Sequence, residues 1–276
     1  MQARLEAAKP RVLAEGDKDA VHDLRVALRR TRTILDVGRS VFGRFHADEV
    51  RRALGKVQRA TGVLRDEEVF LDLIASLTLG PERCDVEKWI EVRKRRERDL
   101  RGELRRGLRA GNLDRGLRLL DAMLMFPVKP SRDRRLTKFA RRAVEDEKRE
   151  VERRRAAPSN DAEELHELRM SYKRLRYTVE TFAEAPGGDL AVPFAQSAAR
   201  FQGLLGHIHD ADVAEAAVRR ARGLSSEARA AVLHRLSELR AGRLRAYDKA
   251  RATVRDRTMA GVYASGTDSL RKTSTR

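Results

Sequence analysis

Apolar residues recur at three- and four-residue intervals along most of this chain. Val21, Leu24, Leu28, Thr31 and Leu35 follow that spacing, as do Val50, Leu54, Val57, Thr61 and Leu64, and again Leu165, Leu168, Tyr172, Leu175 and Val179. A period near 3.6 places each set on one face of an α-helix. No stretch alternates apolar and polar residues convincingly enough to be a strand, so the expected fold is all-α. Two long charged helices are predicted, from about Asp85 to Ala110 and from about Glu227 to Arg257. The helix carrying Val50 to Leu64 is expected to stop at Gly62 or just after, because glycine favours helix ends. Asp66-Glu67-Glu68 then reads as a helix start with acids on the positive dipole end, and Asp210 repeats that arrangement.

The pattern occurs twice. Asp19 to Leu35 (DAVHDLRVALRRTRTIL) aligns with Glu163 to Val179 (EELHELRMSYKRLRYTV) at an offset of 144, and Val57 to Val69 (VQRATGVLRDEEV) aligns with Phe201 to Val213 (FQGLLGHIHDADV) at the same offset. The two windows hold nine identities in thirty positions with no net gap. Two homologous halves follow, residues 1–127 and 131–260, each read as a four-helix bundle and related by pseudo-symmetry. The boundary is expected at Phe126-Pro-Val-Lys-Pro130, where two prolines interrupt the helical pattern, and residues 261–276 read as a flexible tail rich in Gly, Ser and Thr.

Charge adds a direction to this picture. Among 276 residues there are 60 Lys and Arg against 42 Asp and Glu, a net charge of +18, so an anionic partner is expected. The cations are placed as well as numerous. His22, Arg25, Arg29 and Arg32 sit at i, i+3, i+7 and i+10 and share a face that lies about 100° round the helix from the apolar stripe. His166, Arg169, Lys173 and Arg176 copy the arrangement, Lys56 is answered by Arg200, and Arg65 by His209. The stripe therefore borders the core in each half, and two such walls facing one another would form a basic groove. Arginine forks match phosphate oxygens, and histidine adds a donor or a charge. The bland alternative is a solvated face whose arginines pair with Asp23, Asp36, Glu167 and Glu180, but that alternative does not explain the match between the halves.

The remaining composition narrows the setting. Apolar residues at 41% support a real core, and Cys84 is alone, which is compatible with a reducing compartment. The first sixteen residues carry no apolar signal-peptide core, and the longest apolar run, Ala122 to Val128, is far too short to span a membrane. A soluble cytoplasmic protein with no membrane contact is expected.

His22-Asp-Leu-Arg-Val-Ala-Leu-Arg-Arg-Thr-Arg32 and His166-Glu-Leu-Arg-Met-Ser-Tyr-Lys-Arg-Leu-Arg-Tyr177 resemble the signature of the CHAD family, the histidine-containing α-helical domain. Leu64 to Val69 and Leu204 to Val213 resemble that family's second element, L-G-x-x-x-D-x-D-V. The resemblance spans roughly residues 5 to 260. It implies two pseudo-symmetric four-helix bundles with basic residues along a central groove, binding of inorganic polyphosphate, and residence on polyphosphate granules. By position it carries over His22, Arg25, Arg29, Arg30 and Arg32, then His166, Arg169, Lys173, Arg174, Arg176 and Tyr177, with Lys56, Arg65, Arg200 and His209 on the following helices. Two departures stand out: the first half reads Thr61-Gly62 where the second reads Leu205-Gly206, and Thr33 stands opposite Tyr177.

Two rival readings bear on the same residues. His207-Ile-His209-Asp210 has the look of a metal-ligand cluster in a helical phosphohydrolase, but its counterparts in the first half are Val63 and Arg65, and no further ligands stand at helical spacing. No catalytic residue, metal or cofactor is expected. Binding to a nucleic-acid backbone is the alternative, since DNA also presents a line of phosphates. Aromatic residues make up only 5% of the chain, which argues against stacking platforms. Arg93-Lys94-Arg95-Arg96 and Arg153-Arg154-Arg155 read as solvated faces of long helices.

Overall fold

A computed structural model of the chain describes residues 1–14, 16–17, 19–125, 136–156, 159–183 and 192–256. Among them are nine α-helices, one short 3-10 turn at Gly38–Ser40 and no strand, as the apolar periodicity requires. The helices are α1 (Gln2–Leu13), α2 (Ala20–Val37), α3 (Arg44–Ala75), α4 (Arg83–Arg109), α5 (Asp114–Met125), α6 (Leu136–Ala156), α7 (Ala162–Phe182), α8 (Val192–Arg219) and α9 (Ser226–Asp256). The two long charged helices are α4 and α9. The proline-containing boundary at 126–130 and the tail at 261–276 lie outside the described residues.

The chain divides into two compact units, Met1–Asp146 with Arg220–Val232, and Glu147–Arg219 with Leu233–Arg276. In the first unit α1 packs on α2 and α4, and α3 packs on α2, α4 and α5, so α1 to α4 close a four-helix ring. Leu5, Leu24, Leu28, Leu54, Leu64, Leu108 and Leu113 are wholly buried at its centre, each burial contributing about 1.5–3 kcal/mol. Gly116 lets α5 lie directly on α3, since a Cβ there would collide with Leu54.

In the second unit α7 and α8 form the most extensive helix pair. Asp161 caps α7 by accepting from the backbone N–H groups of Glu163 and Glu164 at 2.9 and 3.1 Å. Tyr172 of α7 stacks on Phe201 of α8 with ring centroids 5.2 Å apart, and Tyr247 of α9 meets the same phenyl ring edge-on at 6.2 Å. An aromatic nucleus thus ties three helices together.

The expected helix break near Gly62 does not occur. α3 runs unbroken from Arg44 to Ala75, and Gly62 keeps a helical backbone; the glycines with positive φ are Gly16, Gly43, Gly111 and Gly223. The apolar stripe explains this. It continues past Gly62 through Leu64, Phe70, Leu71 and Ile74, all buried, and that packing outweighs the roughly 1 kcal/mol a glycine costs within a helix. Asp66-Glu67-Glu68 is therefore mid-helix and not a start, and Asp210 lies inside α8 in the same way. The altered Thr61-Gly62 step makes no different turn, because neither unit turns there.

Two of the three acids pair across to α4: Glu68 meets Arg101 at 2.8 Å, and Glu67 lies deeper. Glu67 is buried at 6% exposure and forms an ion pair with Arg93 of α4, Nε to Oε1 at 2.7 Å, while Arg93 Nη2 donates to Oε2 at 2.8 Å. The Arg93 guanidinium also lies 4.6 Å from the centre of the Phe70 ring. Arg93 thus departs from the solvated face expected for its run, whereas Lys94, Arg95 and Arg96 are exposed.

Removing Arg93 leaves the buried Glu67 carboxylate with only the longer contact to Arg96, at 3.5 Å. Arg93→Met is expected to lower unfolding stability by about 3–5 kcal/mol. The double substitution Glu67→Leu with Arg93→Met should recover most of that loss. Urea unfolding followed by far-UV circular dichroism measures both, and a double variant no more stable than the single would remove the ion pair as the cause.

Candidate functional site

The stripe residues project from α2 and α7, and each meets the next long helix of its own unit. On α2, Arg25, Arg29 and Arg32 are partly buried at the core edge, while His22 is exposed. Arg25 Nη1 donates to the Thr61 carbonyl of α3 at 3.3 Å and lies 3.4 Å from where a Cβ of Gly62 would be. A backbone carbonyl fixes the guanidinium without neutralising it, and no carboxylate pairs with Arg25 among the described residues. Arg32 Nη1 lies 3.6 Å from the Cβ position of Gly55, the buried one of the two glycines in α3.

In the second unit His166, Arg169, Lys173 and Arg176 are all partly buried. Arg169 Nε lies 3.5 Å from the Cβ position of Gly206 on α8. His166 faces His209 of α8 with Nδ1 atoms 3.3 Å apart and ring centroids 4.5 Å apart. Burial pushes the His209 imidazole down to about 4 from the ordinary 6.5, and the charges of Arg169, His166 and Lys173 add to the effect. Arg176 is paired with Glu180 at 2.6 Å and lies 5.7 Å from the Tyr177 ring. Tyr177 itself is buried at 3% exposure, while Thr33, its counterpart by offset, donates its hydroxyl to the Arg29 carbonyl at 3.2 Å.

Several expected site residues stand apart from these stripes. Arg30 and Arg174 follow Arg29 and Lys173 by one residue, hence by 100° of helix rotation. Arg174 is exposed and pairs with Glu147 at 3.3 Å. Lys56 and Arg200 are exposed, and so is Arg65, whose Nη1 pairs with Glu68 at 3.1 Å. His207 is exposed while His209 turns toward α7, so the His-Ile-His-Asp run does not converge on one point.

The structure adds residues that charge periodicity on one helix misses. Arg51 and Arg59 of α3 sit close enough to Arg32 to act on it: burial, then the charges of Arg51 and Arg59, hold the Arg32 guanidinium below its ordinary range. Gln58 and Gln202 each bury an Oε1 with no hydrogen-bond partner among the described residues. Their signal was present as an identity at offset 144, but a neutral side chain does not register in a search for cations.

The family model for the CHAD domain matches residues 2–219. The chain belongs to the CHAD domain family. Among solved structures, the CHAD domain from the plant Ricinus communis superposes with a TM-score of 0.69 at 20% identity, covering 95% of this chain and 88% of that one. PptA from Streptomyces chartreusis superposes with a TM-score of 0.56 at 17% identity, covering 92% and 96%. At these identities the two structures establish the CHAD fold alone. No curated protein gave a significant match. Among the described residues no helix of this CHAD protein is long and apolar enough to cross a membrane.

The depressed pKa of His209 has a consequence for stability. Below pH 6.5 the unfolded chain protonates this imidazole while the folded unit does not, until about pH 4. The contribution is therefore complete above pH 6.5 and is lost as pH falls toward 4. The melting temperature is expected to drop across that window, and His209→Gln should make the drop shallower. An unchanged slope in the variant would assign the acid sensitivity to other groups.

Proposed function

We propose that this protein binds inorganic polyphosphate through the cationic edges of α2 and α7, and that it does so without catalysing hydrolysis. The observation that carries the reading is the placement of Arg25 and Arg169. Each is laid at the edge of a core against a mid-helix glycine, and no carboxylate pairs with either among the described residues. A guanidinium held in this way keeps its donors for an outside acceptor, and phosphate oxygens match its fork. Membership of the CHAD family supports polyphosphate as the polyanion, and residence on polyphosphate granules in the cytoplasm would follow from the binding.

Nucleic acid is the competing ligand. Trp89, Tyr172, Tyr177, Phe201 and Tyr247 are all buried and serve the cores, and Phe45 is the only large aromatic among the described residues that stands strongly exposed, too little for a stacking platform. Backbone-only binding to a duplex remains as a competitor that a titration of polyphosphate against double-stranded DNA at one fixed salt concentration resolves.

Charge reversal separates a placed site from a generally basic surface. Arg25→Glu with Arg29→Glu, or Arg169→Glu with Lys173→Glu, is expected to weaken polyphosphate binding by about a hundredfold. The same reversal at Arg95 and Arg98, exposed on α4, alters net charge equally and should change affinity far less. Each lost contact should also flatten the slope of log affinity against log salt by under about one unit if polyphosphate behaves like a nucleic-acid strand. Circular dichroism confirms that each variant is folded. Equal losses from the stripe pairs and the α4 pair would mean that net charge alone drives binding.

A further inference from the structure

The first unit carries a cation cluster that the second does not. Gly55 is buried in α3, and its Cβ position lies 3.4 Å from Arg59 Nη1 and 3.6 Å from Arg32 Nη1. Two guanidinium ends, one from α3 and one from α2, therefore lean over the same bare patch of backbone. Like charges brought this close repel one another, and nearby carboxylates would normally answer them. Here the nearby acids form their ion pairs with other arginines, although Asp36 still acts on Arg32 through space. Asp36, four residues after Arg32, pairs with Arg51 at 2.8 Å, and Asp48 pairs with Arg51 and Arg39. No carboxylate pairs with Arg32 or Arg59 among the described residues.

The corresponding place in the second unit is different in kind. Positions 199 and 203, which stand at offset 144 from Gly55 and Arg59, are Ala199 and Gly203, and position 195, opposite Arg51, is Ala195. Arg176, opposite Arg32, forms an ion pair with Glu180 at 2.6 Å. The second unit is thus neutralised where the first concentrates positive charge.

We propose that Arg32 and Arg59 take the terminal phosphate of a condensed phosphate chain. This rests on the polyphosphate reading and extends it. An inner phosphate is linked on both sides and carries about one negative charge. A terminal phosphate is linked on one side, offers three free oxygens and approaches two charges at neutral pH, like a phosphate monoester. Cations spaced along the α2 stripe suit the inner groups, whereas two guanidiniums over one glycine, neither in an ion pair among the described residues, suit a single dense charge. Chain ends would therefore bind the first unit and not the second, and a bound chain would have a defined starting point.

Isothermal titration with three probes tests this: tripolyphosphate, long-chain polyphosphate, and long-chain polyphosphate with both terminal phosphates capped as alkyl esters. Arg59→Gln is exposed on its helix and is compared with wild type and with Arg95→Gln, each checked for an unchanged melting temperature. Arg59→Gln should weaken tripolyphosphate by about tenfold or more, the loss of one charge-assisted contact. It should leave capped long chains within about twofold, and Arg95→Gln should move neither probe. Arg59→Lys, which keeps the charge and loses the fork, should fall between. Equal losses on capped and uncapped chains would make Arg59 an ordinary stripe cation and overturn the end-group assignment, as would wild-type protein that binds long chains and not tripolyphosphate. A wild type that binds no condensed phosphate at all would overturn the parent reading along with it.

Discussion

The packing of arginines along the edges of two hydrophobic cores shapes both cationic stripes of this protein, and three of these arginines lie over mid-helix glycines. Arg25 meets Gly62, Arg169 meets Gly206, and Arg32 meets Gly55. Each glycine sits inside a long helix, where it costs about 1 kcal/mol relative to alanine. A methyl group at Gly62 would stand 3.4 Å from Arg25 Nη1, and one at Gly206 would stand 3.5 Å from Arg169 Nε. The bare backbone gives the guanidiniums a place to lie between helices, where they are half shielded from water and keep their charge. Packing of α2 on α3 and of α7 on α8 supplies the stability that lets mid-helix glycines be tolerated.

A net charge of +18 does not make every cation a ligand. Arg93 serves the buried carboxylate of Glu67, Arg101 bridges Glu68 and Glu97 at 2.8 and 2.6 Å, and Arg240 holds Asp212 at 2.5 Å. These pairs tie α3 to α4 and α8 to α9. Arg25, Arg169, Arg32 and Arg59 stand apart from these, since none of them forms an ion pair with a carboxylate among the described residues. Position relative to carboxylates, more than abundance, separates the two groups.

The units also hold their charge differently. The first presents arginines, whose charge is permanent at any physiological pH. The second places His166 against His209 beside Arg169 and Lys173, so part of its charge depends on protons.

The helical class, the positions of α2, α4, α7 and α9, and the two cationic stripes were all legible in the sequence, because a 3.6-residue period fixes which side chains share a face without reference to anything else. The family was legible too, from the His-Leu-Arg segments at His22 and His166. What sequence could not decide was which residues meet across helices. Gly62 reads locally as a helix stop, and only the continued burial of Leu64, Phe70 and Ile74 keeps α3 intact through it. Arg93 reads as one of four solvated cations, and only the approach of α4 to α3 turns it toward Glu67. Arg59 stands opposite Gly203 in the repeat and so shows no matching cation, and only the crossing of α2 over Gly55 brings it beside Arg32. Periodicity is a property of one helix and can be read from one segment. The partner of a charge is a property of two helices brought together by the folded chain, and the tertiary structure decided it.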